Sequence, residues 1–221
     1  IFTAEGQPLT TASKVVIGQV GSFAGEYGIS KNPESFAVHN GRKYFSDKKR
    51  GVVLRLSQDG ITPISDAGMR SFFRDNLSKT NRVYGMYDER KNKYVISLQS
   101  PLEIMTVTNE LGGYLANPGV SKQVSKYATL SFDEASKGWV SFYTYQPTFG
   151  FSLSNEFYTY NLESLWKHYS KDVQRCNFYS SADVDPANIE FVFNDQPSTV
   201  KNFHTISYEG TTGWKMASAE T

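Results

Sequence analysis

Residues 36–65 contain four short runs of β-forming residues separated by turn sequences, and this pattern constrains the fold more than any other feature. The turns are Asn40-Gly41, Asp47–Gly51 and Asp59-Gly60. Asn-Gly and Asp-Gly supply the positive φ angles that tight hairpin turns need. The sequence therefore predicts an antiparallel meander with strands at about 35–39, 43–47, 51–57 and 61–65.

The third strand of this meander alternates in polarity. Two sets of side chains point to opposite sides: Val53, Arg55 and Ser57 to one, and Val52, Leu54 and Leu56 to the other. A period of two residues is typical of a strand that is buried on one face only. We therefore expect this strand to be half-buried.

The hairpin recurs loosely along the chain. Turns opened by Asp or Asn stand between an aromatic and an apolar run, and they begin at Asp47, Asp88, Asp133 and Asn161. The first three are spaced by about 40–45 residues, the period of a four-stranded propeller blade. Because a blade cannot cover its own apolar faces, blades are stacked. We therefore expect a mostly β fold of propeller-like, four-stranded antiparallel meanders, with four blade-like units that form part of a larger chain.

One helix interrupts the strands. Residues 66–79 begin with Asp66, a plausible N-cap, and carry apolar side chains at helical spacing. These side chains, which we expect to seat the helix on a sheet, are Met69, Phe72, Phe73 and Leu77. Arg70, Arg74 and Asp75 would face water.

The remaining segments complete a coarse division of the chain. Further strands are predicted at 82–88, 92–98, 104–107, 126–132, 137–145, 150–153, 156–160, 164–169, 188–194 and 200–208. Loops are predicted at 108–125 and 170–186. We divide the chain into a loop-rich lead-in with one strand, residues 1–34, and an incomplete propeller-like domain, residues 35–221.

Charge, cysteine content and apolar run length exclude several classes of protein. The chain has 23 Lys and Arg against 22 Asp and Glu, so no bulk field draws it to nucleic acid or to an anionic membrane. Its single Cys176 cannot form an internal disulfide, which excludes small disulfide-stapled domains. No apolar run approaches the roughly 18 residues of a membrane-spanning helix.

Nucleophilic catalysis would have to come from Cys176 with His168 or His204, since a Cys–His pair needs only spatial contact. No nucleophile elbow, P-loop or zincin motif occurs. The simpler interpretation is a small loop cysteine and histidines on strands. We expect no enzymatic activity.

Asp183, Asp185 and Glu190 offer carboxylates that a hard cation such as calcium prefers. The glycine and the full ligand spacing of an EF-hand loop are missing. A turn formed by Asp before Pro explains the pattern more simply. We expect no metal and no cofactor. Asp133-Glu134 also opens a turn and is a weaker candidate for calcium binding.

Aromatic side chains on strands could stack on sugars, as in carbohydrate-binding or carbohydrate-cleaving propellers. The candidates are Trp139, Trp166, Trp214, Tyr143, Tyr145, Tyr158 and Tyr160. Hydrolysis would also need two facing carboxylates, and no pair is singled out. Strand aromatics usually pack across the sheet instead.

Basic residues at two hairpin turns are candidates for contact with a DNA backbone. They are Arg42, Lys43, Lys48, Lys49 and Arg50. Such contacts would line a channel without reading sequence. Charged turns are ordinarily solvated, so replacing Lys48, Lys49 and Arg50 with Ser is expected to leave folding intact.

Several longer runs are more specific than any motif. They are KKRGVVLRLSQDGITPISDAGMRSFFRDNL, YGMYDERKNKYVISL, FDEASKGWVSFYTYQPTFGFSLSNEFYTY, LWKHY and FNDQPSTVKNFHTISYEG. In this order, over about residues 33–212, they resemble a family of large tail-tip structural proteins of tailed, crAss-like bacteriophages, the muzzle or nozzle type.

The resemblance implies a non-enzymatic virion component whose copies form a homo-oligomeric ring at the tail tip, around the channel through which DNA leaves. It implies further partners among ring, hub or fibre proteins of the tail, and transient contact with exiting DNA. Two alternatives remain open. One is a carbohydrate-binding or carbohydrate-cleaving propeller such as a receptor-binding protein, and the other is a propeller scaffold from a cell.

Overall fold

The computed structural model describes residue 23, residues 25–106, 121–161 and 163–179, and scattered residues between 187 and 215; within 101–127 only the backbone is described. The chain divides into two compact units, Ile1–Asp185 and Pro186–Thr221. Every helix and strand given below belongs to the first unit. The described residues of the second unit carry no helix or strand.

Sheet 1 is the meander that the turn sequences predict. Its strands pair in sequence order and antiparallel; they are β1 (Ala37–His39), β2 (Arg42–Asp47), β3 (Val52–Ser57) and β4 (Gly60–Pro63). Asn40 and Gly41 have φ angles of 46° and 75°, and Gly60 has 101°, as tight hairpin turns require. The predicted strands are confirmed, except at two ends: Ser35 ends a 3-10 turn, Pro33–Ser35, before β1, and the last two residues of the fourth begin another, Ile64–Asp66.

Strand β3 is covered on both faces at its centre, so the expectation of a half-buried strand is wrong there. Val53 and Leu54 both have no exposed surface. Val53 lies in the core that sheet 1 shares with sheet 2. Leu54 lies on the other face, opposite the buried Phe45. The polar residues Arg55 and Ser57 alternate with leucine only at the end of the strand. This alternation does not indicate whether the middle of the strand is covered on one face or on both.

The helix α1 spans Arg70–Leu77, shorter than the predicted segment. Asp66 does not cap it. Gly68, with φ of 78°, changes the backbone direction before the helix begins, and Met69 occupies the N-cap position. The predicted apolar face is confirmed. Phe73 and Leu77 are fully buried, and Met69 and Phe72 pack against the same core.

Sheet 2 follows the helix and is again a meander in sequence order. Its strands are β5 (Arg82–Asp88), β6 (Lys93–Thr106), β7 (Ser121–Asp133) and β8 (Gly138–Tyr143). The strands predicted at 92–98 and 104–107 are one strand, and β7 takes the last residues of the predicted loop 108–125. Beyond a register shift after Gln99, β6 and β7 pair only with each other.

Sheet 3 is a meander of three strands, β9 (Phe149–Leu153), β10 (Glu156–Asn161) and β11 (Ser164–Lys167), with β10 in the middle. The turns that begin after Asp88 and Asp133 both belong to sheet 2. The described residues therefore form three units, not the predicted four. Within the described ranges the sheets do not close into a barrel or a propeller.

The three sheets pack in sequence order, with sheet 2 in the middle. One face of sheet 2 shares a core with sheet 1 and α1; its buried members include Tyr44, Val53, Phe73, Tyr94, Leu130 and Phe132. The opposite face shares a second core with sheet 3, built from Met86, Val95, Tyr145 and Phe157. The centre of sheet 2 is thus covered on both faces, and sheets 1 and 3 form the two sides of the stack.

Two glycines allow these close approaches. A Cβ atom at Gly85 would lie 1.9 Å from the carbonyl oxygen of Ser35 and 2.9 Å from the Tyr94 hydroxyl. A Cβ atom at Gly150 would lie 2.5 Å from Sδ of Met86. At Gly85 the nearest atoms are backbone atoms of the 3-10 turn Pro33–Ser35, so glycine is what allows this turn to approach sheet 2 so closely. At Gly150 the nearest atom belongs to a flexible Met side chain.

Several predictions fall outside the described residues. They are the lead-in strand near residues 15–20, most of the predicted loop 108–125, and most of the strand at 188–194. Of the strand predicted at 200–208, the described residues have no strand conformation. The division into 1–34 and 35–221 stays a prediction.

Candidate functional site

The candidate DNA-contacting residues do not form one patch. Arg42 and Lys43 stand at the start of β2, whereas Lys48, Lys49 and Arg50 form the turn after its end. A six-residue strand is about 20 Å long. The two groups therefore lie at opposite ends of sheet 1, and DNA contact at either stays a prediction.

The basic turn after β2 is partly locked into the fold. Lys48 donates its ammonium group to the carbonyl oxygen of Thr80. Arg50 donates both its backbone N–H and its guanidinium to the Asp47 carboxylate, at 3.2 and 3.1 Å. Within the described residues Lys49 makes no ion pair. The expectation of a purely solvated turn is thus wrong for two of its three cations.

Asp47, which holds this turn, is buried although it carries a carboxylate. Ser30 and the backbone of Gly28 donate to it at 2.9 and 3.2 Å, in addition to Arg50. Burial alone would raise the pKa of Asp47, but the hydrogen bonds, that from Ser30 first, bring the pKa below its ordinary value. The carboxylate ties the segment before sheet 1 to the basic turn.

Arg42 belongs to a cluster that joins sheets 1 and 2. Glu134, in the turn between β7 and β8, accepts a hydrogen bond from the Tyr44 hydroxyl at 2.7 Å and one from Arg55 at 2.9 Å. Arg42 Nε lies 4.0 Å from the same carboxylate. Burial, and then the bond to Glu134, raise the pKa of Tyr44 far above its ordinary value. Glu134 thus links sheet 2 to sheet 1 through its carboxylate.

The candidate catalytic histidine His168 is a core residue. Its Nε2 atom lies 2.6 Å from the Thr159 hydroxyl, and the rings of Tyr145 and Phe157 lie within 5.0 Å. Burial lowers the pKa of His168 to about 4. Cys176 is half-buried, and no hydrogen bond joins it to His168 in the described residues. His204 is exposed and lies in the second unit.

The candidate calcium ligands Asp183, Asp185 and Glu190 lie outside the described residues. Elsewhere in the part of the chain that the structure describes, no three His, Cys, Asp or Glu side chains converge as metal ligands would. Asp133 accepts hydrogen bonds from the backbone of Ala135 and Ser136 and so shapes its own turn.

Most of the candidate sugar-stacking aromatics face the cores. Trp139 packs on Phe73 and donates its indole N–H to the carbonyl oxygen of Ile64 at 2.9 Å. Tyr143, Tyr145 and Trp166 face or border the core between sheets 2 and 3. Trp214 lies outside the described residues. Tyr158 and Tyr160 are the exceptions.

Tyr158 and Tyr160 lie on the face of sheet 3 that points away from sheet 2. Strand pairing brings four more apolar side chains to this face: Phe149, Phe151, Leu153 and Leu165. Phe149, Leu153 and Leu165 are 59%, 61% and 56% exposed. We call these six side chains the distal face of sheet 3. Sequence patterning did not single it out, because β10 carries aromatic residues on both faces.

Comparison with known proteins assigns the chain to a family. Residues 1–163 match the family model described as Crassvirus muzzle protein. The chain belongs to this family. The match covers sheet 1, α1, sheet 2 and the first two strands of sheet 3. No curated protein matches the chain.

Membership of the muzzle family implies a structural protein of a phage virion, as the ordered sequence runs predict. In the described part of the chain, no helix has the length and apolarity that crossing a membrane requires.

Proposed function

We propose that the chain is a structural subunit of the phage tail tip, and that several copies close into a ring around the channel through which DNA leaves. The observation that carries this proposal is the match of residues 1–163 to the muzzle family. Other tail proteins, of ring, hub or fibre type, would be its further partners.

The fold supports a load-bearing role. Three antiparallel meanders stack through two continuous aromatic cores, so force is shared among many backbone hydrogen bonds and a large apolar contact area. Stacking of consecutive meanders is also how propeller blades cover their faces. We propose a propeller-like arrangement that further chain or further copies complete.

Contact with exiting DNA, if the ring surrounds it, would be electrostatic and independent of sequence. Lys43 is exposed and Lys49 is exposed, and neither forms an ion pair in the described residues. Arg42, Lys48 and Arg50 already have partners within the chain. Lys43 and Lys49 are therefore the better candidates for transient phosphate contact.

Two measurements test the proposed function. The mass of the purified chain in solution, by light scattering, should be a single multiple of the chain mass, because a closed ring has a fixed number of copies. Antibodies raised against the chain should label phage particles at the end of the tail. Labelling of the capsid instead, or of no part of the virion, would contradict the proposal.

A carbohydrate-binding role is the second candidate, and Tyr158 and Tyr160 on the distal face favour it. Aromatic rings on an exposed face of a sheet can stack on sugars. A glycan array separates the two functions, since a ring subunit should bind no glycan tightly. Binding that Tyr160→Ala abolishes would favour the receptor-binding interpretation.

A further inference from the structure

The turn between β1 and β2 contains the one Asn-Gly pair of the sequence, Asn40-Gly41. Asparagine loses its side-chain amide most readily before glycine, because no side chain on the glycine obstructs attack by its backbone nitrogen. Both residues are exposed. A Cβ atom placed on Gly41 would meet no other atom within 4 Å. The pair is therefore open both to this reaction and to water.

The backbone nitrogen that would attack is not engaged elsewhere. The flanking residues His39 and Arg42 pair with each other across the turn, and within the described residues the Gly41 N–H donates no hydrogen bond. The strand β1 is three residues long and lies at the edge of sheet 1. Because a short edge strand opens locally at little cost, the turn can reach the geometry of attack while the rest of the sheet stays folded.

A histidine contacts the amide group that would leave. Nδ2 of Asn40 lies 2.9 Å from Nε2 of His39, and Nδ1 of the same ring lies 3.6 Å from Oε1 of Glu89. A neutral imidazole with its proton on Nδ1, towards Glu89, leaves Nε2 to accept the Asn40 N–H. Imidazole is the side chain that most often transfers protons to and from reacting groups. His39 thus lies at the atom that must gain a proton in order to leave.

The ring of His39 is also fixed in position. It stacks on the ring of Tyr87, with centroids 4.1 Å apart and planes 10° from parallel. Tyr87 is itself buried, and its hydroxyl donates to the amide oxygen of Asn92 at 2.8 Å. A proton donor that is already placed beside the reacting atom has a high effective concentration there. The arrangement therefore favours proton transfer over a chance contact between exposed side chains.

Asn92 shows what the same backbone conformation looks like without these groups. Its φ angle is 54°, close to the 46° of Asn40, and it is likewise exposed in a turn. It is followed by Lys93 rather than glycine, and its side chain is bonded to a tyrosine rather than to a histidine. Asn92 is therefore an internal reference for the reactivity of an exposed turn asparagine in this chain.

We propose that Asn40-Gly41 is a site of self-modification, at which the chain converts Asn40 to aspartate or isoaspartate with His39 as the proton donor. The Gly41 nitrogen bonds to Cγ of Asn40 while its N–H proton passes to water. His39, protonated by water in exchange, gives a proton to Nδ2 as the Cγ–Nδ2 bond breaks, and ammonia leaves. Water then opens the cyclic imide, at Cγ to give aspartate or at the main-chain carbonyl to give isoaspartate. One water is consumed, one ammonia is released, and no oxidant or reductant is needed.

The product differs from the unmodified turn in charge and in length. It carries a new carboxylate at the end of sheet 1 where β2 begins with Arg42 and Lys43. Isoaspartate also adds one methylene carbon to the main chain, and a two-residue turn cannot absorb this without disturbing the pairing of His39 with Arg42. The modification would therefore alter the local charge and the register of β1, whatever larger assembly the chain belongs to.

The test follows Asn40 in the full 221-residue chain. The folded chain is incubated at neutral pH, and peptide mapping by mass spectrometry gives the rates of amide loss at Asn40 and at Asn92 in the same digest. Two variants remove the proton donor. His39→Gln keeps a hydrogen-bonding group beside Asn40, and His39→Phe keeps a ring on Tyr87. His204→Gln, at an exposed histidine in the second unit, is the matched control. Circular dichroism confirms that each version is folded.

We expect Asn40 to react faster than Asn92 in the unchanged chain, and both His39 variants to slow the reaction at Asn40 at least about tenfold. His204→Gln should leave the rate unchanged. Equal rates at Asn40 and Asn92 in the unchanged chain would overturn the site. Equal rates at Asn40 in the unchanged chain and in both His39 variants would overturn the role of His39. Slowing in His39→Phe alone would also overturn it, because a hydrogen bond without proton transfer would then be sufficient.

Discussion

Sheets 2 and 3 are built alike but differ in what covers them. In sheet 2, Tyr94, Val95 and Ile96 are consecutive on β6 and all are buried, because a neighbouring sheet lies on each side. In sheet 3, Phe157 and Thr159 on β10 have no exposed surface, whereas Tyr160, on the opposite face, is 38% exposed.

The difference teaches that the sequence of sheet 3 suits a covered position that the described residues do not provide. A strand with one face in water normally alternates apolar and polar residues. The strand β10 instead places Phe157 on one face and Tyr158 and Tyr160 on the other. The predictions below test whether the two faces of sheet 3 differ as much as their exposure suggests, and whether the two inter-sheet contacts are equally strong.

The largest expected effect separates the two faces of sheet 3. Phe157→Ala should lower the free energy of unfolding by about 3–5 kcal/mol, because it leaves a cavity in the core between sheets 2 and 3. Phe149→Ala, on the distal face, should change it by no more than about 0.5 kcal/mol in the monomeric chain. Chemical denaturation measures both; equal losses would mean that the distal face is a covered surface.

The second largest difference in unfolding free energy is expected between the charged contacts at the two inter-sheet boundaries. Glu134→Ala removes a carboxylate, 7% exposed, from Tyr44 and Arg55 and should cost about 3 kcal/mol of unfolding free energy, since Arg55 loses its partner. Glu156→Ala removes the partner of Arg90 and Lys167 near water and should cost clearly less. A larger loss for Glu156→Ala in the same denaturation assay would reverse this ranking.

Acid should weaken the contact between sheets 2 and 3 through His168. Its pKa is lowered from 6.5 to about 4 by burial, so between these values the unfolded chain binds a proton that the folded chain does not. Stability is therefore complete above about pH 6.5 and falls as the pH drops towards 4. The loss from this group should reach about 2 kcal/mol at pH 5.

The control for this pH dependence is His168→Gln, which cannot titrate. Asp88, a buried carboxylate that accepts the Tyr169 hydroxyl, has a pKa raised by burial and acts in the opposite direction. The difference between the unchanged chain and His168→Gln isolates the histidine. Parallel stability curves for the two from pH 7 to 5 would show that His168 does not cause the loss.

The smallest effect is expected at the basic turn of sheet 1. Lys49→Ser should leave the melting temperature unchanged, because Lys49 has no ion pair in the described residues. Substituting Lys48 and Arg50 as well should lower it measurably, since both donate to groups within the fold. Identical melting temperatures for the single and triple variants would support the purely solvated turn that the sequence alone predicts.

Local features of the fold could be predicted because short stretches of sequence determine them. Asn40-Gly41 and Gly60 supply the positive φ angles of their turns whatever surrounds them. The spacing of Phe73 and Leu77 likewise fixes the buried side of α1. The strands of sheets 1 and 3 were found within a few residues for the same reason.

Contacts between distant residues were not predictable from pattern. Glu134 looks like an ordinary turn residue, yet its partners Tyr44 and Arg55 are 90 and 79 residues away in sequence. His168 follows a strand and gives no sign that aromatic rings will enclose it. The predicted number of blade-like units was wrong because the turns after Asp88 and Asp133, although similar in sequence, both connect strands of the same sheet.

The family was recognised from ordered sequence runs, and the match over residues 1–163 confirms it. The distal face was not recognised, because exposure depends on which sheet comes next rather than on the strand's own residues. The family could thus be predicted from the sequence, whereas the exposure of the distal face required the packing of the sheets.

Gly85 makes the packing against sheet 2 sensitive to substitution at a single position. The approach of the 3-10 turn Pro33–Ser35 to sheet 2 depends there on the lack of a Cβ atom, since the Ser35 carbonyl and the Tyr94 hydroxyl occupy the volume of a side chain. No residue is smaller than glycine, and no rotamer relieves the clash, because the position of a Cβ atom does not depend on the rotamer. Any side chain at residue 85 therefore requires the backbone at Ser35 to shift.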